Sequence, residues 1–140
     1  MDALDDLVHT ALDSASRDGR CDNMKFLLEH NADVTVEDSD GMTPMKRAIY
    51  GGKPDVVGLL LGNGAIEDFR EKNGCTPLFH ASAIGHLDIV RLLTQSGAAV
   101  DSRDNDGRTP LFAASKYGHQ GIVQLLIQSG AVVDSRDNDG

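Results

Sequence analysis

Tryptophan is absent from the 140 residues, and aromatic side chains make up only 4% of them. With so few aromatics, the placement of each one is informative. Cysteine is almost as scarce. Cys21 and Cys75 are the only two, and they share no C-x-x-C spacing, which removes the usual basis for a structural zinc site. Both read as reduced thiols. The opening MDALDDL has neither the basic flank nor the apolar core of a secretory signal. No stretch approaches the roughly 18–20 apolar residues of a membrane helix. The expected setting is therefore cytoplasmic or nuclear. Positive charge is also short. Thirteen Lys and Arg face 22 Asp and Glu, a formal net charge of −9, and nucleic acid is a poor partner for such a chain because phosphate binding needs a basic face. Residues 1–37 alone carry nine of those acids against three bases. There is no G-x-S-x-G, no phosphate-binding loop and no G-x-G-x-x-G, so neither a hydrolase elbow nor a nucleotide cradle is indicated.

What the chain has is repetition. DSRDNDG fills 101–107 and again 134–140, a separation of 33. Gly41, Gly74, Gly107 and Gly140 keep that spacing, as do the Thr-Pro pairs at 43–44, 76–77 and 109–110. Gly52, Gly85 and Gly118 keep it too, and so do Gly64, Gly97 and Gly130. A fixed period of this length marks a repeat architecture. Within one unit, Thr109 is placed to cap a helix and Pro110 to begin it. Leu111, Ala114 and Ser115 then share one face. Gly118 ends this short helix, and Ile122, Val123, Leu125, Leu126 and Ile127 build a second, more apolar one closed by Gly130. A turn-rich link, VVDSRDNDG, leads onward. The first unit is degenerate but in register, with Asn31 where the others have glycine, since Asn tolerates the left-handed conformation best after Gly. The units fall at about 5–37, 38–70, 71–103 and 104–136, with 137–140 opening a further loop, all within one domain.

The Thr-Pro-Leu-Phe phrases at 76–79 and 109–112, Thr43-Pro44-Met45 and Ala32-Asp33-Val34, set on a 33-residue period, resemble the ankyrin repeat family over about 10–140. The resemblance implies an all-α solenoid of stacked helix–turn–helix units with projecting hairpin-like loops. It departs at one position: the family's His after Pro-Leu, which ties neighbouring loops together, is replaced by Asp13, Lys46, Phe79 and Phe112. Phe79 and Phe112 are expected to substitute packing for the lost hydrogen bonds.

Three chemistries compete with a plain structural role. DSRDNDG as a calcium loop places Ser102 at the first ligand position and Ala113 at the twelfth, where a bidentate Glu is required, so a solvated turn is the better reading. His86 and His119, 33 apart behind Gly85 and Gly118, read as cap or turn contacts. Cys75, beside Gly74 at a loop tip, reads as an ordinary and exposed thiol. No catalytic, cofactor-binding or metal residues are assigned, and no cofactor is expected.

The resemblance further implies a concave side made of loop tips and first-helix faces, bearing a protein or peptide partner. Carried over residue by residue, the tips are Ser39, Asp40 and Met42, then Lys72, Asn73 and Cys75, then Asn105, Asp106 and Arg108. The helix faces add Arg17 and Asp18, Arg47 and Tyr50, His80 and Ile84, then Lys116 and Tyr117. The set is mildly basic and holds both tyrosines, and Tyr and Arg are enriched at binding hot spots. The expected function is a non-catalytic protein-interaction scaffold whose partner offers acidic and apolar groups. The runner-up is an enzyme using Asp18, His80, Lys116 or Tyr117 as acid or base in the groove. A third reading is a regulatory or sensor array cut from a larger protein: the last unit has no polar cap, so an exposed apolar end and self-association through it are expected.

Overall fold

The computed structural model describes residues 11, 14–16, 18–35, 37, 41–63 and 70–133. They are helical and contain no strand. The chain divides into two compact units, Met1–Ala65 and Ile66–Gly140. In the first lie α1 (Cys21–Glu29), α2 (Pro44–Tyr50) and α3 (Pro54–Gly62). In the second lie α4 (Pro77–Ile84), α5 (Leu87–Gln95), α6 (Pro110–Lys116) and α7 (Gln120–Gln128).

The short helices begin where the repeated Thr-Pro places them. Thr43, Thr76 and Thr109 are extended N-cap residues, and each hydroxyl accepts from the N–H three residues on, at 3.2 Å. Such a cap stabilises a helix by about 1 kcal/mol, and the following proline sits where its missing N–H costs nothing. At the far end of α1, Asn31 has φ +61, the single described non-glycine residue with positive φ. It does the work that glycine does in the other units, as its amide side chain predicts.

Core packing follows the helix pairs. In the first unit α3 packs on both α1 and α2. Val56, Val57 and Leu60 of α3 are fully buried there, with Met24, Ala48 and Ile49. In the second unit α4 packs on α5 and α6, and α7 on α5 and α6. Leu78, Ala81, Ile89, Val90, Leu93, Ala114 and Leu126 have no more than 1% of their surface exposed. The expected inner face of α6 needs one correction. Leu111 and Ala114 are buried, but Ser115 is exposed and Ala113 is buried in its place. A helix packed by neighbours on two sides needs a wider apolar arc than a single i, i+3, i+4 stripe. Of the five apolar residues of α7, Ile122 and Leu126 are buried, Val123 and Leu125 half-buried, and Ile127 exposed. Val132 and Val133 are exposed as well. The terminal DSRDNDG copy, 134–140, lies outside the described residues.

One position in this core is open to improvement. Gly58 sits inside α3, and a Cβ built there meets nothing within 4 Å among the described residues. Gly58→Ala is expected to raise stability by about 0.4–1 kcal/mol, through reduced freedom of the unfolded chain. A higher midpoint in urea unfolding checks this.

Candidate functional site

The two loops of the second unit are built alike. In each, the residue that opens the loop donates its N–H to the carbonyl four residues on: Glu71 to Cys75 at 3.0 Å and Asp104 to Arg108 at 2.9 Å. Gly74 and Gly107 then donate back, to Glu71 O and Asp104 O. Side chains finish the turns. Asn73 Oδ1 accepts from the N–H of Cys75 at 3.0 Å. Asp104 Oδ1 accepts from the N–H groups of Asp106 and Arg108, at 3.0 and 2.8 Å. Asp104 Oδ1 is thus engaged by its own loop, the local turn chemistry expected of Asx residues.

The loops are also tied to each other. The backbone N–H of Asn105 donates to Asn73 O at 2.9 Å, and its side-chain amide donates to Lys72 O at 2.7 Å. Arg70 Nη1 donates to Arg103 O at 2.8 Å. The tie expected of the missing His therefore comes from Asn105 and Arg70. Packing by Phe79 and Phe112 is not the substitute that the sequence led us to expect. Phe79 is half-buried and Phe112 is 36% exposed. The guanidinium of Arg108 lies 5.6 Å from the Phe112 ring centre, a contact that contributes about 0.5–1 kcal/mol at an exposed site.

These elements enclose an open groove of about 270 Å³. Ala83 of α4 and Ala113 of α6 line it with small side chains, and Phe79 and Phe112 stand beside them. Asn73, Asn105, Asp106 and Arg108 contribute from the loops, and Lys116 and Tyr117 from the end of α6. Tyr117 is 57% exposed, with the Lys116 ammonium 5.6 Å from its ring centre. Cys75 lines the groove too, but it is buried rather than exposed, with its N–H held by Asn73 Oδ1. Seven of the residues expected at a partner surface thus meet in one place. Phe79, Phe112 and Ala83 join them. The sequence signal for these three was the first-helix register already used for His80 and Lys116, which are one residue on from Phe79 and 33 on from Ala83.

Other expected site residues lie elsewhere. Lys72 is exposed beside the groove and contributes its carbonyl to the loop tie. His80 faces Glu71, with Nε2 to Oε2 3.3 Å, and Ile84 is half-buried. Asp18, Met42, Arg47 and Tyr50 belong to the first unit. There Asp18 is exposed, 4.0 Å from Arg20, while Met42 and Arg47 are half-buried. Tyr50 is 46% exposed, with the Lys46 ammonium 5.9 Å from its ring centre. Arg17, Ser39 and Asp40 lie outside the described residues. His119 is a turn contact, as expected: its Nε2 lies 3.0 Å from Ala83 O and carries the proton, because a carbonyl only accepts. His86 and His119 hold N-cap positions, but neither side chain caps its own helix.

Residues 1–67 and 47–137 match the family model for ankyrin repeats in three copies. The chain belongs to the ankyrin repeat family. Ankyrin repeats are generally protein–protein interaction modules and typically non-catalytic. The described helices fit an all-α ankyrin repeat solenoid. No helix among the described residues is long and apolar enough to cross a membrane.

Proposed function

We propose that this ankyrin repeat chain is a protein-interaction scaffold, and that the groove of its second unit receives an apolar or aromatic side chain of a protein or peptide partner. One observation carries the reading. Phe112 and Tyr117, at 36% and 57% exposure, line the same groove as Ala83 and Ala113. Rigid aromatics left facing water beside a shallow apolar floor are the type of residue that dominates interface energetics. The residues of the enzyme alternative give no comparable cluster. Asp18 is in the first unit, His80 faces Glu71, and Lys116 and Tyr117 sit at an open rim.

Peptides selected from a random library on the full chain test this. Phe112→Ala and Tyr117→Ala are each expected to weaken the selected peptides about tenfold or more. Both side chains are solvent-facing, so the helical circular dichroism of the two variants should match the parent. Undiminished affinity in both variants would overturn the groove as the docking site.

The first unit offers a smaller surface of the same kind in Tyr50 and Arg47. We assign them to partner contact on residue type, Tyr50 being 46% exposed as well, with Tyr50→Ala as the corresponding variant.

A further inference from the structure

The second helix of the last repeat has no charges. Its counterparts all carry some: Asp22, Lys25 and Glu29 on α1, Asp55 on α3, and Asp88 and Arg91 on α5. α7 carries none. The stretch from Tyr117 to Val133 is the longest in the chain without Asp, Glu, Lys or Arg. The exchange is on the side that faces water. Asp88 and Arg91 are exposed, and so are Gly121 and Gln124, which hold the same places 33 residues on. Packing does not ask for glycine at 121. Among the described residues, a Cβ there meets only Leu87 Cδ2, at 3.8 Å, an ordinary contact. Glycine weakens a helix interior, and an acid in the first turn strengthens it. The exchange is therefore unfavourable for the fold alone. The same side of α7 has gained apolar surface. Ile127, three residues on from Gln124 and 42% exposed, stands where α5 has Thr94.

We propose that the exposed side of α7 is a self-association surface, on which a second copy of this chain docks its own α7 about a two-fold axis. Charge selects the occupant. At a net charge of −9, two copies repel each other, and they approach most easily where neither presents a charge. A basic partner is drawn instead to the carboxylates of α1 and α3, and an acidic partner finds no cation on α7. In a two-fold contact a residue near the axis meets its own copy, so a charge there faces a like charge. Gly121, Gln124 and Gln128 avoid that conflict. Ile127 supplies an apolar centre, and homodimer interfaces are apolar and depleted in charge at their core. Both signs stand at the border. α7 packs on α5 and α6, which bring Asp88, Arg91 and Lys116. Asp101 Oδ1 accepts from the N–H of Val132 at 3.0 Å. No residue of α7 lines the groove, so this surface is independent of the groove reading.

Sedimentation equilibrium of the full chain, from micromolar to millimolar concentration, tests this. Amide shifts of the ¹⁵N-labelled chain locate the contact. The mass is expected to rise to that of a dimer and stop there. The amides of Gln124, Ile127 and Gln128 should shift with concentration, while those of Phe112 and Tyr117 in the groove stay in place. Gln124→Lys and Gln124→Glu should each weaken the dimer about tenfold. An equal mixture of the two should associate more tightly than either alone, because opposite charges then meet across the axis. Gly121→Asp restores the acid of the earlier repeats. It should weaken the dimer too, yet at a dilution where the chain is a monomer its urea midpoint should be no lower than the parent's. That separates loss of the contact from loss of the fold. A chain that stays monomeric at every attainable concentration overturns the proposal. So does a dimer whose strength none of the three substitutions changes, or an assembly that grows past two copies.

Discussion

Gly74→Ala is expected to destabilise the second unit by about 3–4 kcal/mol, through two separable causes. The first is backbone strain. Gly74 has φ +82, and a side chain at left-handed φ costs about 1–2 kcal/mol. The second is collision. A Cβ at this position would lie 2.6 Å from Asn105 Oδ1 and 2.8 Å from Asn105 N. Backbone cannot step aside as the tip of a side chain can. Relief requires the two loops to part, and parting them breaks the bonds from Asn105 to Asn73 O and Lys72 O. Each is a hydrogen bond with a net contribution of about 1 kcal/mol. Gly41, 33 residues earlier, separates the causes. It has φ +75, and a Cβ there meets nothing within 4 Å among the described residues. Gly41→Ala should therefore show the strain alone, about 1–2 kcal/mol. Urea unfolding of the two variants measures both. Equal losses would mean that the close approach of the loops contributes nothing.

That contrast also shows how far the sequence could be read. The period, the Thr-Pro helix starts and the substitution of Asn31 for glycine are all local. Each follows from what one residue does to its own backbone or to the next turn, and each is found where it was expected. The groove was legible in part, because the register that carries Lys116 and Tyr117 to one face is itself a repeat property. What escaped were relations between residues in different repeats. Asn105 looks like a turn residue in either setting; that its amide reaches Lys72 O is set by how two loops stack. The burial of Cys75 and the exposure of Phe112 depend on the direction the chain takes after each turn. No pattern along a single unit contains that information.

A second close approach tests how neighbouring repeats lock. Gly85 caps α4 in the left-handed conformation, at φ +98. The imidazole of His119 lies against it. A Cβ on Gly85 would lie 2.5 Å from Cε1, 2.8 Å from Nδ1 and 2.9 Å from Nε2 of that ring. The ring is held there by the hydrogen bond from its Nε2 to Ala83 O, at 3.0 Å. Gly85→Ala must therefore bear the strain of its φ and also displace the ring, giving up that bond. The expected cost is about 2–3 kcal/mol. Gly118 stands 33 residues on, at φ +74, with nothing within 4 Å of a Cβ among the described residues. Gly118→Ala should cost the strain alone, about 1–2 kcal/mol. The decisive variant is the double one. His119→Ala on its own loses the bond to Ala83 O, about 1 kcal/mol. Combined with Gly85→Ala, it removes the ring that the new methyl would strike. The two losses should then fail to add, the double variant being more stable than their sum by about 1 kcal/mol. Strict additivity in urea unfolding would show that the ring and the glycine do not constrain one another, and that His119 holds its place by the hydrogen bond alone.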